Sequence, residues 1–294
     1  MTNRLETILA LAFLAMFFTA PVSAQMDDAA SLPTGRCETV RFEGTRYTVC
    51  GFDPTIHDIR LFHRDGNGVG FRDFSALETF LDGEGLQLNF AMNAGMYHAD
   101  RDAVGLYVEQ GIERNPVNQN EGPGNFHLLP NGIFYLEGSA AGILETQAYL
   151  TSGINPDFAT QSGPMLIIDG RLHPRFLPDG TSRKIRNGVG IAADGRTIVF
   201  ALSEERVNFH DFARLFRDKY GAKNALYLDG SISRLHVRDL ERSDPGRAMG
   251  PIVGVVARKP APQLLNLYNQ QRIEKASVFA LCVFAHRRFQ LGRQ

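Results

Sequence analysis

Residues 224–237, NALYLDGSISRLHV, contain an apolar run that ends in Asp229-Gly230 and is followed by two serines and an arginine. A short apolar run bounded by turn residues predicts a buried strand. A carboxylate at the end of such a strand, next to a glycine that lets the backbone approach a ligand, is a common way to present chemistry. The same Asp-Gly pair is also the usual signature of a hairpin turn. Taken alone, this stretch leaves both interpretations open.

Asp-Gly pairs elsewhere in the chain indicate a fold rich in hairpins. Asp169-Gly170 and Asp194-Gly195 each separate two apolar runs, and each pair therefore predicts a hairpin. What distinguishes Asp229 from these two turns is the set of polar residues that other segments bring to it.

Helical spacing of apolar residues predicts two helices, over 75–81 and 208–220, and a strand is predicted over 142–150. Hairpins combined with few helices are typical of an α+β fold. We therefore expect a mixed, largely antiparallel sheet with hairpins and a few packed helices.

The first 24 residues are typical of a secretory signal peptide. Arg4 precedes the apolar run 8–20, and Val22-Ser23-Ala24 provides a small-x-small cleavage site. An uncleaved membrane anchor is the alternative interpretation. No second long apolar run follows, so we expect a periplasmic or secreted protein with no stable membrane span after cleavage.

The rest of the chain divides by composition into a flexible lead (25–35), one domain (36–259) and a basic tail (260–294) that begins with a Pro-Ala-Pro break. The formal net charge of the 294 residues is −1. This charge gives no electrostatic reason to expect nucleic acid as a partner.

The cysteines predict one disulfide and no structural metal. Cys37 and Cys50 flank a predicted hairpin, and in an oxidising compartment they can form a bridge. Cys282 is left over, and the chain has neither a CxxC pair nor an HExxH motif, which argues against a zinc site.

Four groups of polar residues and glycines stand at the ends of apolar segments, at 93–97, 161–164, 183–187 and 229–231. Each group has a structural interpretation of its own, as a turn, a partner for buried backbone groups or a solvated basic loop. Together they predict one cleft. The candidate ligand-binding residues are Asn93, Gly95, Gln161, Ser162, Arg186, Asn187, Gly230, Ser231 and Ser233.

These segments, in the order NAGMY, QSGPMLIIDG, RNGVGIAADG and ALYLDG, resemble the phosphodiester glycosidase domain family, and in particular a bacterial periplasmic branch. The resemblance covers roughly residues 59–258. The family commonly has glycine where this chain has Ala94 and Ser231. The resemblance implies cleavage of a sugar-1-phosphodiester to a free sugar and a phosphomonoester, in envelope or exopolysaccharide metabolism.

This reaction needs a carboxylate near the anomeric carbon, and Asp229 is the predicted one. The phosphate leaving group needs its charge neutralised, and Arg186 is the predicted ligand because a guanidinium donates paired hydrogen bonds. Glu204, after a predicted strand, is the preferred second carboxylate. The other candidates for that role are Glu205, Asp100 and Asp102. No cofactor is predicted, and a divalent cation at Asp100 or Asp102 is left open.

Three alternatives to the hydrolase remain. The first is a non-catalytic periplasmic binding protein for a phosphorylated glycan or glycolipid, and the change at Ser231 favours it. The second is an interaction module that uses the basic tail. A serine hydrolase is the weakest, because Ser162 lacks a G-x-S-x-G context.

Overall fold

The computed structural model describes residues 34–229 and 231–260. The predicted signal peptide (1–24), most of the lead (25–33) and nearly all of the basic tail (261–294) lie outside these ranges. Within them, no helix has the length and apolar character needed to cross a membrane.

Three antiparallel β-sheets share one core, and short helices pack on them, which confirms the predicted α+β class. The strands, in chain order, are β1 (Arg36–Phe42), β2 (Thr45–Phe52), β3 (Asp58–Phe62), β4 (Leu86–Asn93), β5 (Tyr107–Glu109), β6 (Ile112–Asn115), β7 (Gly132–Glu137), β8 (Ala140–Glu145), β9 (Phe158–Ser162), β10 (Met165–Ile168), β11 (Arg171–Leu172), β12 (Asn187–Ile191), β13 (Ile198–Ser203), β14 (Ala225–Asp229), β15 (Leu235–Val237), β16 (Arg242–Ser243) and β17 (Ile252–Arg258).

The strands are divided among the sheets in an order that mixes distant parts of the chain. The first sheet has the order β1-β2-β13-β12-β14-β10-β11, the second β16-β15-β4-β17-β3 and the third β6-β5-β9-β7-β8. Hairpins supply many neighbours, as predicted, but the pairing of β2 with β13 and of β12 with β14 joins segments that are far apart in sequence.

The helices are short. They are α1 (Phe74–Gly83), α2 (Thr146–Ser152), α3 (Phe209–Arg214), a π-helical turn (Leu215–Lys219) that continues α3, and a 3₁₀ turn (Arg238–Leu240). The predicted strand over 142–150 is wrong from residue 146 onward. Glu145 begins α2 there, because its carboxylate accepts the N–H groups of Gln147 (2.8 Å) and Ala148 (3.1 Å).

The β12–β13 hairpin shows how an Asp-Gly pair forms a turn in this chain. The Asp194 carboxylate accepts the backbone N–H groups of Arg196 (2.9 Å) and Thr197 (2.8 Å). Gly195 takes a φ of +70°, which glycine adopts without steric cost. The turn is complete in itself and needs no ligand.

At the edge of the first sheet, β1 is tied to β2 by a disulfide between Cys37 and Cys50, with an S–S distance of 2.05 Å. The two cysteines stand directly opposite each other in the strand register. The bridge thus secures an edge strand that has only one neighbouring strand in its sheet.

Aromatic rings fill the space where the three sheets meet. Phe200 of β13 packs against Phe90 of β4, with ring centroids 5.0 Å apart, and against Phe134 of β7 at 6.0 Å. These three rings come one from each sheet, and all are buried. Full burial of a side chain of this size contributes about 1.5–3 kcal/mol, so this cluster holds the sheets, and the strand ends beside it, in fixed relative positions.

Candidate active site

The four predicted segments contribute strand ends from all three sheets. Asn93 ends β4 of the second sheet, and Ser162 ends β9 of the third. In the first sheet, Asn187 begins β12 and stands opposite Asp229, the last residue of β14. The four segments therefore meet, but the predicted single cleft lined by all of them is not found, because of the four only 93–97 and 229–231 contribute described lining residues to the cleft beside Asp229.

Asn93 and Asn187 form a fully buried amide pair that positions backbone. The Asn187 Nδ2 donates to the Asn93 carbonyl oxygen (3.0 Å), and the Asn93 Nδ2 donates to Asn187 Oδ1 (3.2 Å). Asn187 Oδ1 also accepts the N–H of Asp229 (3.0 Å), and Asn93 Oδ1 accepts the N–H of Arg234 (3.0 Å). Asn93 and Asn187 were predicted to contact a ligand. In the structure their amides instead hold the end of β14 and the loop that follows it.

Asp229 is held at the start of that loop. Its Oδ1 accepts the N–H of Ser231 (2.8 Å), and its carbonyl oxygen accepts the hydroxyl of Ser233 (3.0 Å). Gly230 lies outside the described residues. Asp229 is 7% exposed and lines a cleft, so its carboxylate has a fixed place at a surface open to small molecules.

The cleft has a volume of about 600 Å³. Four of its described lining residues carry basic side chains, and Asp229 is the only carboxylate among them. The basic residues are His98, Arg101, His127 and Arg247. A single carboxylate in a cleft with two arginines is suited to a ligand that is itself an anion and that reacts near the carboxylate.

Tyr97 lines the cleft close to Asp229. Burial, with a smaller contribution from the Asp229 charge, raises the pKa of Tyr97 to about 12. Its hydroxyl therefore stays neutral at any physiological pH and donates to the Ala248 carbonyl oxygen (3.3 Å). The Arg101 guanidinium lies 5.4 Å from the ring centre, so the ring also helps to place this cation.

His127 is oriented by a main-chain contact. Its Nδ1 lies 2.8 Å from the Asn120 carbonyl oxygen, which can only accept, so Nδ1 carries the proton. In the neutral ring Nε2 is then the acceptor.

Gln161, predicted as a ligand-binding residue, is occupied by bonds within the protein. Its Oε1 accepts the N–H groups of Leu106 (3.0 Å) and Asn118 (2.8 Å). Its Nε2 donates to the Asn118 carbonyl oxygen (2.8 Å) and to Thr146 Oγ1 (3.2 Å). These four bonds use the full capacity of the amide, so Gln161 holds neighbouring backbone and has nothing left for a substrate.

Arg186, predicted as the phosphate ligand, is fully buried. Its guanidinium donates to the carbonyl oxygens of Val207 (3.0 Å) and Ser182 (2.7 Å) and lies 3.6 Å from the centre of the Phe209 ring. Burial lowers the pKa of Arg186 from its usual value. The side chain supports the segment before β12, and the cations that reach the cleft are Arg101 and Arg247 instead.

Glu204 stands apart from the cleft. Its Oε1 accepts hydrogen bonds from Thr48 (2.6 Å) and Arg242 (2.6 Å). It follows β13, which β12 separates from β14, and neighbouring strands lie about 4.8 Å apart. The structure therefore gives Glu204 an ion pair between two sheets and does not bring it beside Asp229.

Ser162 and Gly95 serve the packing of strands. The Ser162 hydroxyl is buried and donates to the Leu228 carbonyl oxygen (2.9 Å), one residue before Asp229. Gly95 has a φ of +147°, and a side chain there would come within 2.8 Å of Thr160 Oγ1. Both residues hold β9 against the strand ends around the cleft. They were predicted to contact a ligand, and in the structure they contact the protein instead.

Sequence reasoning named none of the four basic residues of the cleft as a ligand. His98 and Arg101 follow the NAGMY segment and carried a signal, because they stand at the end of the same apolar run. Arg101 also has a φ of +83°, an unusual backbone conformation of the kind that clusters at functional sites. His127 and Arg247 carried no such signal, since each lies in a loop outside the four segments that the sequence singled out.

Comparison with known proteins gives a family and several relatives. A family model described as phosphodiester glycosidase matches residues 87–256. The uncharacterized protein YigE of Escherichia coli strain K12 is 38% identical over 192 residues, which cover 65% of this chain and 73% of that protein.

Two solved structures are similar at lower identity. A hypothetical protein from Synechocystis is 15% identical with a TM-score of 0.48, over 76% of this chain and 61% of that chain. The catalytic domain of zebrafish N-acetylglucosamine-1-phosphodiester alpha-N-acetylglucosaminidase is 14% identical with a TM-score of 0.48, over 75% of this chain and 81% of that chain. The sequence matches, rather than these structures, decide the family.

Proposed function

Because the chain belongs to the phosphodiester glycosidase family, we propose that it is a hydrolase that cleaves a sugar-1-phosphodiester at the glycosidic C–O bond. Its substrate is then a phosphorylated sugar or glycan. The observation that carries the proposal is the position of Asp229, a carboxylate fixed at a strand end in a cleft whose other charged lining residues, among those described, are basic.

The reaction divides the work between the carboxylate and the cations. As the bond from the anomeric carbon to the phosphate oxygen breaks, positive charge develops on the sugar and negative charge on the departing phosphate. Asp229 stabilises the sugar side and acts there as nucleophile or as the base for an attacking water. Arg101 and Arg247 neutralise the phosphate, which leaves as a phosphomonoester, while water supplies the hydroxyl of the free sugar.

A second carboxylate is not required by this chemistry. A phosphate is a good leaving group, and charge neutralisation serves it better than protonation by a strong general acid. Water still has to lose a proton, and His127 is a group in the cleft with a ring nitrogen able to take it. The proposal is therefore compatible with Asp229 being the only carboxylate among the described lining residues.

We place the protein in the periplasm or outside the cell, where it would act on envelope glycans or exopolysaccharide. The Cys37–Cys50 disulfide supports this location, because such bridges persist in oxidising compartments. The signal peptide expected over residues 1–24 supports it from the sequence. Detection of the mature protein in a periplasmic fraction, starting near Gln25, is the direct check.

The test of activity is hydrolysis of a panel of sugar-1-phosphodiesters and nucleotide sugars, comparing the parent with Asp229→Asn. The matched control is Asp194→Asn, the same substitution at an Asp-Gly turn away from the cleft. We expect turnover in the parent and the control and a loss of at least a hundredfold in kcat for Asp229→Asn. Full turnover in Asp229→Asn would refute the assignment.

The second candidate is a periplasmic binding protein for a phosphorylated glycan or glycolipid. The single carboxylate among the described lining residues favours it, because most glycosidases use two. It predicts saturable binding of a panel member by the parent with no hydrolysis. Binding and turnover measured on the same samples separate the two functions.

A further inference from the structure

A second depression adjoins the cleft on the side of the loop that follows Asp229. It has a volume of about 490 Å³ and shares Ser231, Ile232 and Arg247 with the cleft. We call it the basic groove, because Lys184, Arg206, Arg234 and Arg247 line it. Two depressions with shared walls form one continuous surface, so a single extended ligand can occupy both.

The basic groove is lined by cations that make few ion pairs. None of its described lining residues is a carboxylate. Lys184, Arg206 and Arg247 are exposed, and they make no ion pair within residues 34–229 and 231–260. Elsewhere in the fold arginines are commonly paired, as Arg214 is with Glu43 (2.6 Å) and Arg242 with Glu204 (2.6 Å). Lys184, Arg206 and Arg247 can therefore bind an anionic ligand without first breaking an ion pair.

Arg234 gives the groove a fixed, buried charge. Its guanidinium donates to the carbonyl oxygens of Asp244 (2.7 and 2.9 Å) and Arg247 (3.1 Å), and it lies 5.1 Å from the centre of the Phe74 ring. It is only 7% exposed. Its direct partners are carbonyl oxygens, which orient the group, and the charges of Asp73 and Asp244 act on it without a direct ion pair. A guanidinium held in this way can still donate to a bound anion.

The net charge of the whole chain is −1, so the groove is a local concentration of positive charge in a nearly neutral protein. Four cations around one concave surface repel one another, and such a surface raises the local concentration of anions. Arginine in particular suits phosphate, because its planar fork donates two parallel hydrogen bonds. No aromatic residue lines the groove among those described, so it offers no stacking surface for nucleotide bases.

We infer that the substrate carries a second phosphate, on the leaving-group side of the bond that is cleaved, and that this phosphate binds in the basic groove. The substrate class is thus a glycan in which phosphodiesters recur along the chain. The inference rests on the proposed function and deepens it. Because Arg247 lines both depressions, we assign the phosphate of the cleaved bond to it. The donor sugar then lies toward Asn125 and Phe126, which line only the cleft, and the leaving group toward Lys184, which lines only the groove.

The test compares two substrates on one pair of variants. The short substrate is a methyl-capped sugar-1-phosphodiester, and the long one is the same unit extended by a second sugar phosphate. We expect Lys184→Ala/Arg206→Ala to lower kcat/KM on the long substrate about tenfold or more, mainly through KM, and to leave the short substrate within about twofold. The control Arg175→Ala/Lys223→Ala removes the same charge outside cleft and groove and should change neither.

Equal losses on both substrates, or no loss on either, would overturn the inference. Displacement of the long substrate by a single-stranded DNA oligomer of equal charge, at equal concentration, would do so too, because it would make the groove a general anion surface. Asp229→Asn on the short substrate tests the proposed function separately. If no panel member is hydrolysed, calorimetric binding of the long substrate to the parent and the double variant still decides whether the groove holds the second phosphate.

Discussion

Asn187 Oδ1 accepts the backbone N–H of Asp229 at 3.0 Å, at the point where β12 and β14 come together. The two residues are 42 positions apart in the chain, and the contact is fully buried. Asn93, at the end of β4 in the second sheet, is joined to Asn187 by two further hydrogen bonds. The carboxylate of the cleft is therefore positioned by an amide pair that no ligand needs to touch.

Asn187→Ala should reduce both stability and turnover. It leaves the Asp229 N–H buried without its partner, which costs about 1–3 kcal/mol in the free energy of unfolding. A displaced carboxylate should lower kcat roughly ten- to hundredfold. Urea unfolding and steady-state kinetics on the same samples measure both effects.

The control for that prediction is Asn224→Ala. Asn224 Oδ1 accepts the N–H of Asp169 at 3.0 Å, the same kind of contact at another Asp-Gly pair, but at an exposed position. We expect a smaller loss of stability there and an unchanged kcat. An equal loss of kcat in both variants would mean that the effect of Asn187 is only a general loss of folded protein.

Gln161→Leu should destabilise the fold strongly. The substitution leaves the N–H groups of Leu106 and Asn118 without their acceptor, at about 1–3 kcal/mol each, or roughly 2–6 kcal/mol together. The comparison is Gln147→Leu on the exposed face of α2, where one side-chain contact is lost. If denaturant midpoints of the two variants agree, Gln161 is not the structural amide described above.

Stability should fall as the pH drops below about 6.5, the usual pKa of histidine. Burial lowers the pKa of His63, His173 and His236 in the folded protein. Just below that pH these histidines bind protons in the unfolded chain but stay neutral in the folded protein, so the free energy of unfolding decreases. Urea midpoints between pH 8 and pH 5 check this, above the range in which ordinary carboxyl groups titrate.

A single substitution separates the histidines from other causes. His173→Gln removes one of the three groups and should flatten the decline between pH 7 and pH 5, even where the variant is less stable at pH 8. A midpoint that is constant or that rises on acidification in the parent protein would contradict the prediction.

Reduction of the Cys37–Cys50 bridge should lower the free energy of unfolding by up to about 3 kcal/mol, because a loop of this size is no longer closed in the unfolded chain. Turnover should persist, since β1 is the edge strand farthest from β14 on its side of the sheet. Unfolding curves with and without dithiothreitol, and Cys37→Ser/Cys50→Ser as a second route, provide the measurement. A loss of kcat on reduction, with the protein still folded, would show that the bridge reaches the cleft.

The hairpins and the start of α3 were predictable because their causes are local. Asp194-Gly195 makes its turn with residues two and three positions away, and Asn208 caps α3 by accepting the N–H of Asp211 at 2.8 Å. The strand over 142–150 failed at residue 146 for an equally local reason, the capping by Glu145, which the apolar pattern concealed.

For the site, local sequence accounts for part of the result and tertiary structure for the rest. The sequence by itself determined that Asp229 ends a buried strand, that four polar segments stand at the ends of apolar ones, and that the chain belongs to its family. These conclusions depend on residue types and spacings within a few positions. Such information is complete in the sequence, because turn chemistry and strand burial act over short distances.

Only the tertiary structure decided which polar side chains reach the cleft. Arg186 points into the fold and stacks on Phe209, while Arg247, from a loop without any signal, lines the cleft beside Asp229. Asn93 meets the N–H of Arg234 across 141 positions of sequence. The direction in which a side chain points depends on the register of its strand, and these strands pair with partners that are far away in the sequence. That register is set by the packing of all three sheets together.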